Sequence, residues 1–377
     1  MRIRHLNIHD FRNLCQTEVQ FSSTANFIFG DNAQGKTNII EAIYILCLAK
    51  SFRTHNDTEL VPFEKEGYAI EGAFQDESDI SYKIQVGYAA EPGKKIKIDG
   101  KPVSRYSSMI GRFPIVALTS EDQVITTGAP AQRRKFFNIL LSQCSARYLA
   151  DLKSFERILK QRNELLNRPA AGQDTRSQLE IWNEQFVTAG CNLMRARDQM
   201  VREMNGFIYE CYQTLTRSNH TFHVTYQPNV SGSLETMQDE FKKQLHKAYP
   251  AEKRRGMSLV GPHRDEFLIT VNDRELRRYG SRGEHKSALV SLKAAESALL
   301  SDKAGTKPIL LLDDLYSELD INRGKSVMDL FSTSSQTFIT GTSMDYQAIK
   351  NMGIQVPDHR LYFVEKGIVS EEHGTFV

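Results

Sequence analysis

The feature that most constrains this chain is a short glycine-bounded stretch near its amino end. Residues 30–38 have the sequence GDNAQGKTN, in which two glycines bracket four residues and are followed by Lys36 and Thr37. The apolar run ANFIFG leads into this stretch, and the apolar, helix-like run IIEAIYILCLA follows it. A strand, a glycine loop and a helix in this order place backbone N–H groups and a helix amino end around an anion. The sequence therefore predicts a phosphate-binding loop.

The loop predicts which residues contact a bound nucleoside triphosphate. We expect Lys36 to reach the β and γ phosphate oxygens and Thr37 to bind Mg²⁺ through its hydroxyl. The other residues of the predicted phosphate cradle are Gly30, Asp31, Asn32, Ala33, Gln34, Gly35 and Asn38.

A pair of acids near the carboxyl end is the second feature that carries chemistry. PILLLDDLYSELD, residues 308–320, is an apolar strand that ends in Asp313 and Asp314. The carboxyl edge of a sheet is where such acids meet a nucleotide-bound metal. We expect Asp313 to hold Mg²⁺ and Asp314 to orient or deprotonate the attacking water. The alternative is a strand followed by a solvated acidic turn.

A serine-glycine segment is the third feature. YGSRGEHKS, residues 279–287, lies where a helical pattern over 283–302 begins, so Ser281 and Gly283 fall at a helix amino end. A hydroxyl and bare N–H groups at such a place form a second anion site. An ordinary helix cap has the same composition, and the segment alone does not separate the two.

Hydrophobic spacing divides the rest of the chain. Residues 68–118 alternate as in an antiparallel meander, with an Asp99-Gly100 hairpin turn, whereas apolar residues between about 130 and 250 recur at helical spacing. The breaker NRPAAGQDTRS, residues 167–177, separates two long helices. We predict an α/β fold with an antiparallel β subdomain, an inserted helical lobe and no long coiled coil. The predicted parts are 1–125 and 256–377 for the nucleotide-binding domain and 126–255 for the helical lobe.

Charge and cysteine content exclude several classes of protein. Lys and Arg total 48 against 46 Asp and Glu, so any polyanion must bind to local basic patches rather than respond to a strong overall field. The five cysteines are scattered and form no C-x-x-C pair, which argues against a disulfide framework and a zinc site. No apolar run is long enough to span a bilayer and no signal peptide is apparent, so we expect a cytoplasmic protein without a membrane partner.

The order of these motifs resembles that of the ATP-binding-cassette ATPases, in which the serine-glycine segment of one subunit closes on the γ-phosphate bound by another. GDNAQGKTNIIEAI and HDFRNL resemble the SMC-like branch, whose amino-terminal turn, here Arg12 and Asn13, reaches the nucleotide. Three further stretches are similar to the RecF family: SEDQVITTGAPAQRRKFFN (120–138), GPHRDEF (261–267) and LLDDLYSELD (311–320). The resemblance covers the chain from end to end.

This resemblance implies a function and its partners. ATP and Mg²⁺ close a homodimer on single-stranded or gapped DNA, and a weak, DNA-stimulated ATP hydrolysis releases it. RecO and RecR are the implied protein partners in placing RecA on gapped DNA during replication and recombinational repair. Gln123 is a further candidate metal ligand, and the basic triplet Arg133, Arg134 and Lys135 is a candidate DNA surface. The alternative to a DNA surface is that the triplet forms a solvated face or internal ion pairs.

Several positions depart from the family pattern. RecF proteins usually have Pro in place of Ser120, and Ser-Gln-Gly-Gln where residues 281–284 are SRGE. Whether Arg282 and Glu284 alter the predicted contact with the γ-phosphate stays open from the sequence. The cassette histidine is replaced by Thr340 or Thr342. His263, Arg264 and Asp265 predict a structural or nucleotide-coupled network, because a buried Arg–Asp pair needs its partner.

Three other functions stay open from the sequence. They are a transporter-like ATPase subunit, a small-molecule P-loop kinase and a non-hydrolysing DNA-binding switch. Dimerisation with ATP and a response to DNA separate the ATP-dependent DNA-binding dimer from a kinase. The behaviour of an Asp314→Asn variant separates a dimer that hydrolyses ATP from a non-hydrolysing switch.

Overall fold

The computed structural model divides the chain into two units of different architecture. Unit 1 comprises Met1–Gln123, Glu210–Asn219 and Lys286–Val377, and unit 2 comprises Val124–Tyr209 and His220–His285. The structure describes residues 1–168, 172–233, 236–314, 326, 330–331, 336–342, 344 and 358–372, without the side chains of 172–176.

An antiparallel sheet forms the first layer of unit 1. Its six strands lie in the order β2-β1-β4-β5-β6-β7. They are β1 (Arg2–Phe11), β2 (Leu14–Gln20), β4 (Gly67–Gln75), β5 (Ser81–Ala89), β6 (Lys95–Ile98) and β7 (Lys101–Pro102). The predicted hairpin is confirmed, because Asp99 and Gly100 connect β6 to β7 with φ values of 51° and 76°. One face alternates into the core, as in Ile84 and Val86, and the other face is polar.

A largely parallel sheet forms the second layer of unit 1. Its order is β15-β14-β3-β13-β12-β8, and only β15 runs antiparallel to its neighbour among these strands. They are β3 (Ala25–Phe29), β8 (Ile115–Leu118), β12 (Ile309–Leu312), β13 (Thr337–Gly341), β14 (His359–Glu365) and β15 (Ile368–Glu372). The prediction that the meander extends to residue 118 was wrong for β8. All four residues of β8 are buried, and such an unbroken apolar run suits a sheet covered on both faces.

Helix α1 (Lys36–Leu48) follows β3 and contacts strands of both sheets. Eleven of its residues are buried, which explains why its sequence is apolar on nearly every side. The strands β3 and β12 both pair with β13 in parallel, so the residues that follow them emerge at the same edge of the sheet. That edge carries the predicted nucleotide contacts.

Unit 2 combines long helices with a small sheet. Its helices are α3 (Pro130–Cys144), α4 (Ala146–Asn167), most of α5 (Gly172–Thr216) and α6 (Met237–Arg255), with the short α2 (Gln123–Thr127) and α7 (Leu276–Tyr279) and the start of α8 (Arg282–Ala304). The two predicted long helices are confirmed as α4 and α5. The predicted breaker was too long, because residues 172–177 already belong to α5, and residues 169–171 lie outside the described residues. Within the described chain, none of the helices has the length and apolarity needed to cross a membrane.

The small sheet determines where residues 256–285 belong. It has the order β11-β10-β9, with β9 (Phe222–Gln227), β10 (Glu266–Val271) and β11 (Arg274–Glu275) all antiparallel. The predicted boundary at residue 256 assigned this segment to the nucleotide-binding domain. In the structure residues 256–285 belong to unit 2, because β10 pairs along its whole length with β9.

A buried ionic network surrounds Asp265 in unit 2. The Arg197 guanidinium donates to Asp265 Oδ2 at 2.7 Å, the Tyr226 hydroxyl donates to the same oxygen, and the Asn229 backbone N–H donates to Oδ1 at 2.8 Å. Asp265 is 0% exposed and Arg197 is 2% exposed. The predicted Arg–Asp network is therefore present, but the arginine is Arg197 rather than the adjacent Arg264.

His263 lies beside this network as a neutral side chain. Its Nε2 donates to the Ser258 carbonyl at 3.0 Å, and its ring lies 6.1 Å from the Phe155 ring and 6.0 Å from the Phe186 ring. Burial among these groups lowers the pKa of His263 from 6.5 to about 4.

We expect His263 to make unit 2 lose stability in mild acid. The unfolded chain binds a proton at His263 near pH 6.5 and the folded chain only near pH 4, so the free energy of unfolding falls as the pH falls through this window. The expected loss attributable to His263 is about 2 kcal/mol between pH 7.5 and pH 5. Urea unfolding followed by the fluorescence of Trp182, the single tryptophan, measures it.

His263→Gln provides the comparison, because glutamine has no protonation in this range. The variant should lose most of that pH dependence even if it is less stable at every pH. Equal pH dependence in the variant and the wild type would contradict the assignment.

Candidate nucleotide site

The predicted phosphate-binding loop lies between β3 and α1, and its two glycines are required by the space around them. A Cβ on Gly30 would lie 2.3 Å from the Val364 carbonyl oxygen. Gly35 has a φ of 120°, and a Cβ there would lie 2.8 Å from Asn13 Oδ1. Larger residues would open the loop at both ends.

The amino end of α1 is built to receive an anion. Gly35 occupies the cap position without a side-chain cap, and no acidic residue lies in the first turn. The first N–H groups of the helix are therefore directed toward the loop together with the positive end of the helix dipole. Lys36 is 4% exposed, and its Nζ donates to the carbonyls of Gly30 at 2.9 Å and Asp31 at 3.0 Å, which holds the ammonium group inside the loop.

Thr37 and Asp313 come together as predicted, although they are far apart in the sequence. Thr37 Oγ1 lies 3.0 Å from each carboxylate oxygen of Asp313. Thr340 Oγ1 donates to Asp313 Oδ1 at 2.6 Å and accepts from the Asp314 N–H at 3.0 Å. Thr342, the other candidate for the cassette histidine position, is half-buried just after β13. Thr340 is thus the threonine that positions both acids.

Opposing effects act on the pKa of Asp313, and their net result raises it above its ordinary value. Burial raises its pKa, while the hydroxyls of Thr340 and Thr37 lower it and the charge of Asp314 raises it further. A carboxylate next to a threonine hydroxyl is the hard oxygen donor set that suits Mg²⁺. The residues present therefore fit a magnesium ion.

The turn between β1 and β2 braces this loop. Asn13 Nδ2 donates to the Gln34 carbonyl at 2.9 Å, and Asn38 Nδ2 donates to Asn13 Oδ1 at 2.7 Å. Arg12 makes a bidentate pair with Glu41 of α1, at 3.1 and 3.0 Å. Glu41 is 0% exposed and was not predicted. Its signal in the sequence was a single acid inside an apolar helix, because a buried carboxylate needs a charged partner.

A second brace comes from the hairpin that joins β14 to β15. The Gly367 N–H donates to the Gln34 carbonyl at 3.0 Å, and the Lys366 N–H donates to Gln34 Oε1 at 2.6 Å. Both turn residues have positive φ, 50° and 78°. This contact fixes the middle of the phosphate-binding loop, and nothing in the sequence pattern indicated it.

A cavity of ≈ 520 Å³ opens in front of the loop. Asp314 forms part of its wall, and Gln123 does not line it, being exposed at the start of α2. The structure therefore gives no support to Gln123 as a metal ligand. The cavity is lined by Arg12, Asn13, Asn32, Ala33, Gln34, Gly35, Lys36, Thr37, Asn38, Arg53, Glu59, Val61, Pro62, Phe63 and Asp314.

The serine-glycine segment forms a helix cap in unit 2. Ser281 Oγ accepts from the Glu284 N–H at 3.2 Å, and a Glu284 carboxylate oxygen accepts from the Ser281 N–H at 2.8 Å. This is a capping box at the start of α8. The hydrogen bond from the Ser281 backbone is the main reason that the pKa of Glu284 is lowered. The contact of Ser281 and Gly283 with a phosphate stays a prediction, and residues 317–320 (SELD) lie outside the described residues.

The structure corrects the predicted DNA surface at the basic triplet. Arg133 is 4% exposed, and its guanidinium donates to both carboxylate oxygens of Glu266 at 2.8 Å and to the Gly128 carbonyl at 2.9 Å. Arg134 is half-buried and donates to the Asp265 carbonyl at 2.7 Å. Internal pairing therefore removes Arg133 from the predicted surface, and Lys135 is the exposed member of the triplet.

Comparison with known proteins identifies the family. The family model described as RecF/RecN/SMC N terminal domain matches residues 2–367. The DNA replication and repair protein RecF of Halalkalibacterium halodurans is 35% identical over 376 residues, which cover 99% of this chain and 100% of that protein. The chain belongs to the RecF family. RecF of Staphylococcus haemolyticus is 36% identical over 352 residues, covering 92% of this chain and 94% of that protein.

Solved structures agree with this membership of the RecF family. The recombination mediator protein RecF with ATP, from the RecFOR pathway, has a TM-score of 0.88 at 29% identity, covering 98% of this chain and 97% of that one. An Smc head bound to the C-winged helix domain of ScpA has a TM-score of 0.58 at 13% identity, covering 100% and 98%, and shows the fold alone. The predicted fold class is confirmed: an ATP-binding-cassette head of mixed α/β type, whose described residues form no long coiled coil.

Proposed function

We propose that this protein is an ATP-dependent DNA-binding protein of replication and recombinational repair. The observation that carries the proposal is the contact of Thr37 with both oxygens of Asp313, directly in front of the phosphate-binding loop. Membership of the RecF family and the similarity to a RecF structure with ATP support it. A transporter subunit and a metabolite kinase have no such support.

ATP binding follows from the geometry of unit 1. The loop N–H groups and the amino end of α1 bind the phosphates, and Lys36 exchanges its carbonyl partners for phosphate oxygens. Thr37 and Asp313 would hold Mg²⁺, which would neutralise phosphate charge when bound. Arg12 and Asn13 keep the loop in position from the β1–β2 turn.

ATP hydrolysis acts as a slow release step in this proposal. Asp314 orients or deprotonates the attacking water at the cavity wall, and Thr340 holds its backbone. Ser281 and Gly283 come from a second copy of the chain and complete the site around the γ-phosphate. Ser281 already caps α8 together with Glu284. We propose that Ser281 keeps this cap while the amino end of α8 faces the phosphate.

The biological role rests on the relatives. The similar RecF structure with ATP is a recombination mediator protein of the RecFOR pathway, which supports RecO and RecR as partners. We propose the loading of RecA on gapped DNA as the outcome. We propose single-stranded and gapped DNA as the nucleic-acid partner of the ATP-bound dimer. Lys135 remains a candidate phosphate contact, because its side chain is exposed.

Sedimentation with and without ATP, Mg²⁺ and gapped DNA tests the proposed function. We expect ATP to convert wild-type monomers to dimers and to raise their affinity for DNA. Lys36→Met removes a charge-assisted contact to the phosphates and should weaken ATP binding by roughly 10- to 150-fold, abolishing both responses at ATP concentrations that suffice for the wild type.

Lys101→Met is the matched control, because Lys101 is exposed on β7 and does not line the cavity. This variant should behave as the wild type. The proposal fails if ATP neither dimerises the wild type nor raises its affinity for DNA.

A further inference from the structure

A fully exposed phenylalanine lies at the cavity of the phosphate-binding loop. Phe63 is 100% exposed, more than any other large apolar side chain in the described part of the chain. Isolated apolar residues on a surface are ordinary, so exposure alone indicates nothing. Phe63 differs because it lines the same ≈ 520 Å³ cavity as Lys36 and Thr37.

The backbone presents this ring from a tight turn. The Lys65 N–H donates to the Pro62 carbonyl at 3.3 Å, so residues 62–65 form a β-turn with Phe63 at its second position. Glu64, at the third position, has a φ of 65°, a left-handed conformation that is unfavourable for a residue other than glycine.

Contacts on both sides hold the turn in place. The Arg12 N–H donates to the Leu60 carbonyl at 2.8 Å, and Arg12 Nη1 donates to the Glu59 carbonyl at 3.0 Å. After the turn, Lys65 Nζ lies 3.3 Å from Asp10 Oδ1. Both anchors belong to the end of β1 and the turn that follows it. The ring is thus held in solvent by a fixed backbone rather than carried on a free loop.

The same β1–β2 turn fixes the phosphate-binding loop. Asn13 donates to the Gln34 carbonyl, and the neighbouring Arg12 holds residues 59 and 60. The loop and the Phe63 turn therefore have a set spacing within unit 1. A cavity of this size suits a ligand of nucleotide dimensions, with Val61 and Pro62 providing further apolar wall.

We propose that Phe63 is the stacking platform for the purine base of the ATP whose phosphates bind the loop. This inference rests on the proposed function and adds the base-binding subsite to it. A base presents a flat π-face to an aromatic ring, and covering the exposed ring removes apolar surface from water. Arg12 and Arg53 line the same cavity, and both guanidinium groups pair with the Glu41 carboxylate.

Isothermal titration with ATP and with inorganic tripolyphosphate, both with Mg²⁺, tests this subsite. Phe63→Ala should weaken ATP binding by about 5- to 150-fold, the range for loss of one base–aromatic stack, and leave tripolyphosphate binding unchanged. Phe63→Trp keeps an aromatic face and should bind ATP within a few-fold of the wild type. Ile80→Ala, at a residue 53% exposed in the β4–β5 turn, is the matched surface control and should change neither ligand.

The outcomes separate the subsite from the proposed function. The stacking role is overturned if Phe63→Ala weakens binding of ATP and tripolyphosphate equally, or changes neither. Lys36→Met should still weaken binding of both ligands in that case. Unchanged ATP affinity with weaker ATP-dependent dimerisation also overturns it and assigns the ring to a contact between copies. If wild-type protein binds ATP no better than Lys36→Met does, the proposed function fails and the subsite with it.

Discussion

Asp314→Asn is expected to bind ATP normally but to hydrolyse it about 10²–10⁴-fold more slowly, so that an ATP-bound dimer accumulates on DNA. Asp314 lies at the cavity wall, and its N–H is held by Thr340 Oγ1 at 3.0 Å. Its φ of 48° is in the left-handed region, which asparagine tolerates as well as aspartate does. The substitution therefore preserves shape and backbone and removes the proton acceptor.

Phosphate release under single-turnover conditions measures the slower hydrolysis, and sedimentation measures the trapped dimer. Asp313→Asn separates the roles of the two acids. Loss of the Asp313 charge should weaken the binding of Mg²⁺ with ATP, whereas Asp314→Asn should trap the ATP-bound dimer. A non-hydrolysing switch predicts another result: Asp314→Asn would then match the wild type in dimer lifetime and in phosphate release.

The core of the candidate site was predictable because its determinants are local in the sequence. The loop requires glycine at two positions, and the strand before it and the helix after it can be recognised from adjacent residues. Asp313 was predictable because it ends an apolar strand, and parallel strands present such ends at the same edge. The structure brings Thr37 within 3.0 Å of Asp313 for this reason.

The supports of the site were not predictable, because each is a contact between distant segments. Gln34 is held by Lys366, 332 residues later, through a backbone N–H that any residue carries. The Phe63 turn has no glycine or asparagine to mark its left-handed position, since Glu64 occupies it. Pairwise tertiary contacts of this kind leave no periodic pattern in the sequence.

Charged residues were predicted less well than apolar ones for a related reason. Arg133 belongs to a basic triplet that looks solvated, and its burial depends on Glu266, which is 133 residues away. The partner of Asp265 was similarly misplaced by local reasoning, because Arg197 on α5 rather than Arg264 reaches it. A buried charge can be inferred to need a partner, but the partner is set by how the elements pack.

Asp265→Ala should destabilise unit 2 by about 3–5 kcal/mol, which is the usual cost of removing one partner of a buried ion pair. The change leaves the Arg197 guanidinium buried without its carboxylate, at a position only 2% exposed. It also deprives the Tyr226 hydroxyl and the Asn229 N–H of their acceptor. Urea unfolding followed by Trp182 fluorescence measures the loss, because Trp182 packs against the unit 2 cluster of Leu165, Leu166 and Leu179.

A surface ion pair on the same helix provides the matched control. Asp198, adjacent to Arg197, pairs with Arg202 at 2.6 Å, but the Arg202 side chain is 67% exposed. Asp198→Ala should therefore cost no more than about 1 kcal/mol, because water solvates the arginine left behind. Both variants remove the carboxylate of an Asp–Arg pair, and the two pairs differ in burial. If Asp265→Ala lowered the free energy of unfolding as little as Asp198→Ala does, the buried network would not stabilise unit 2.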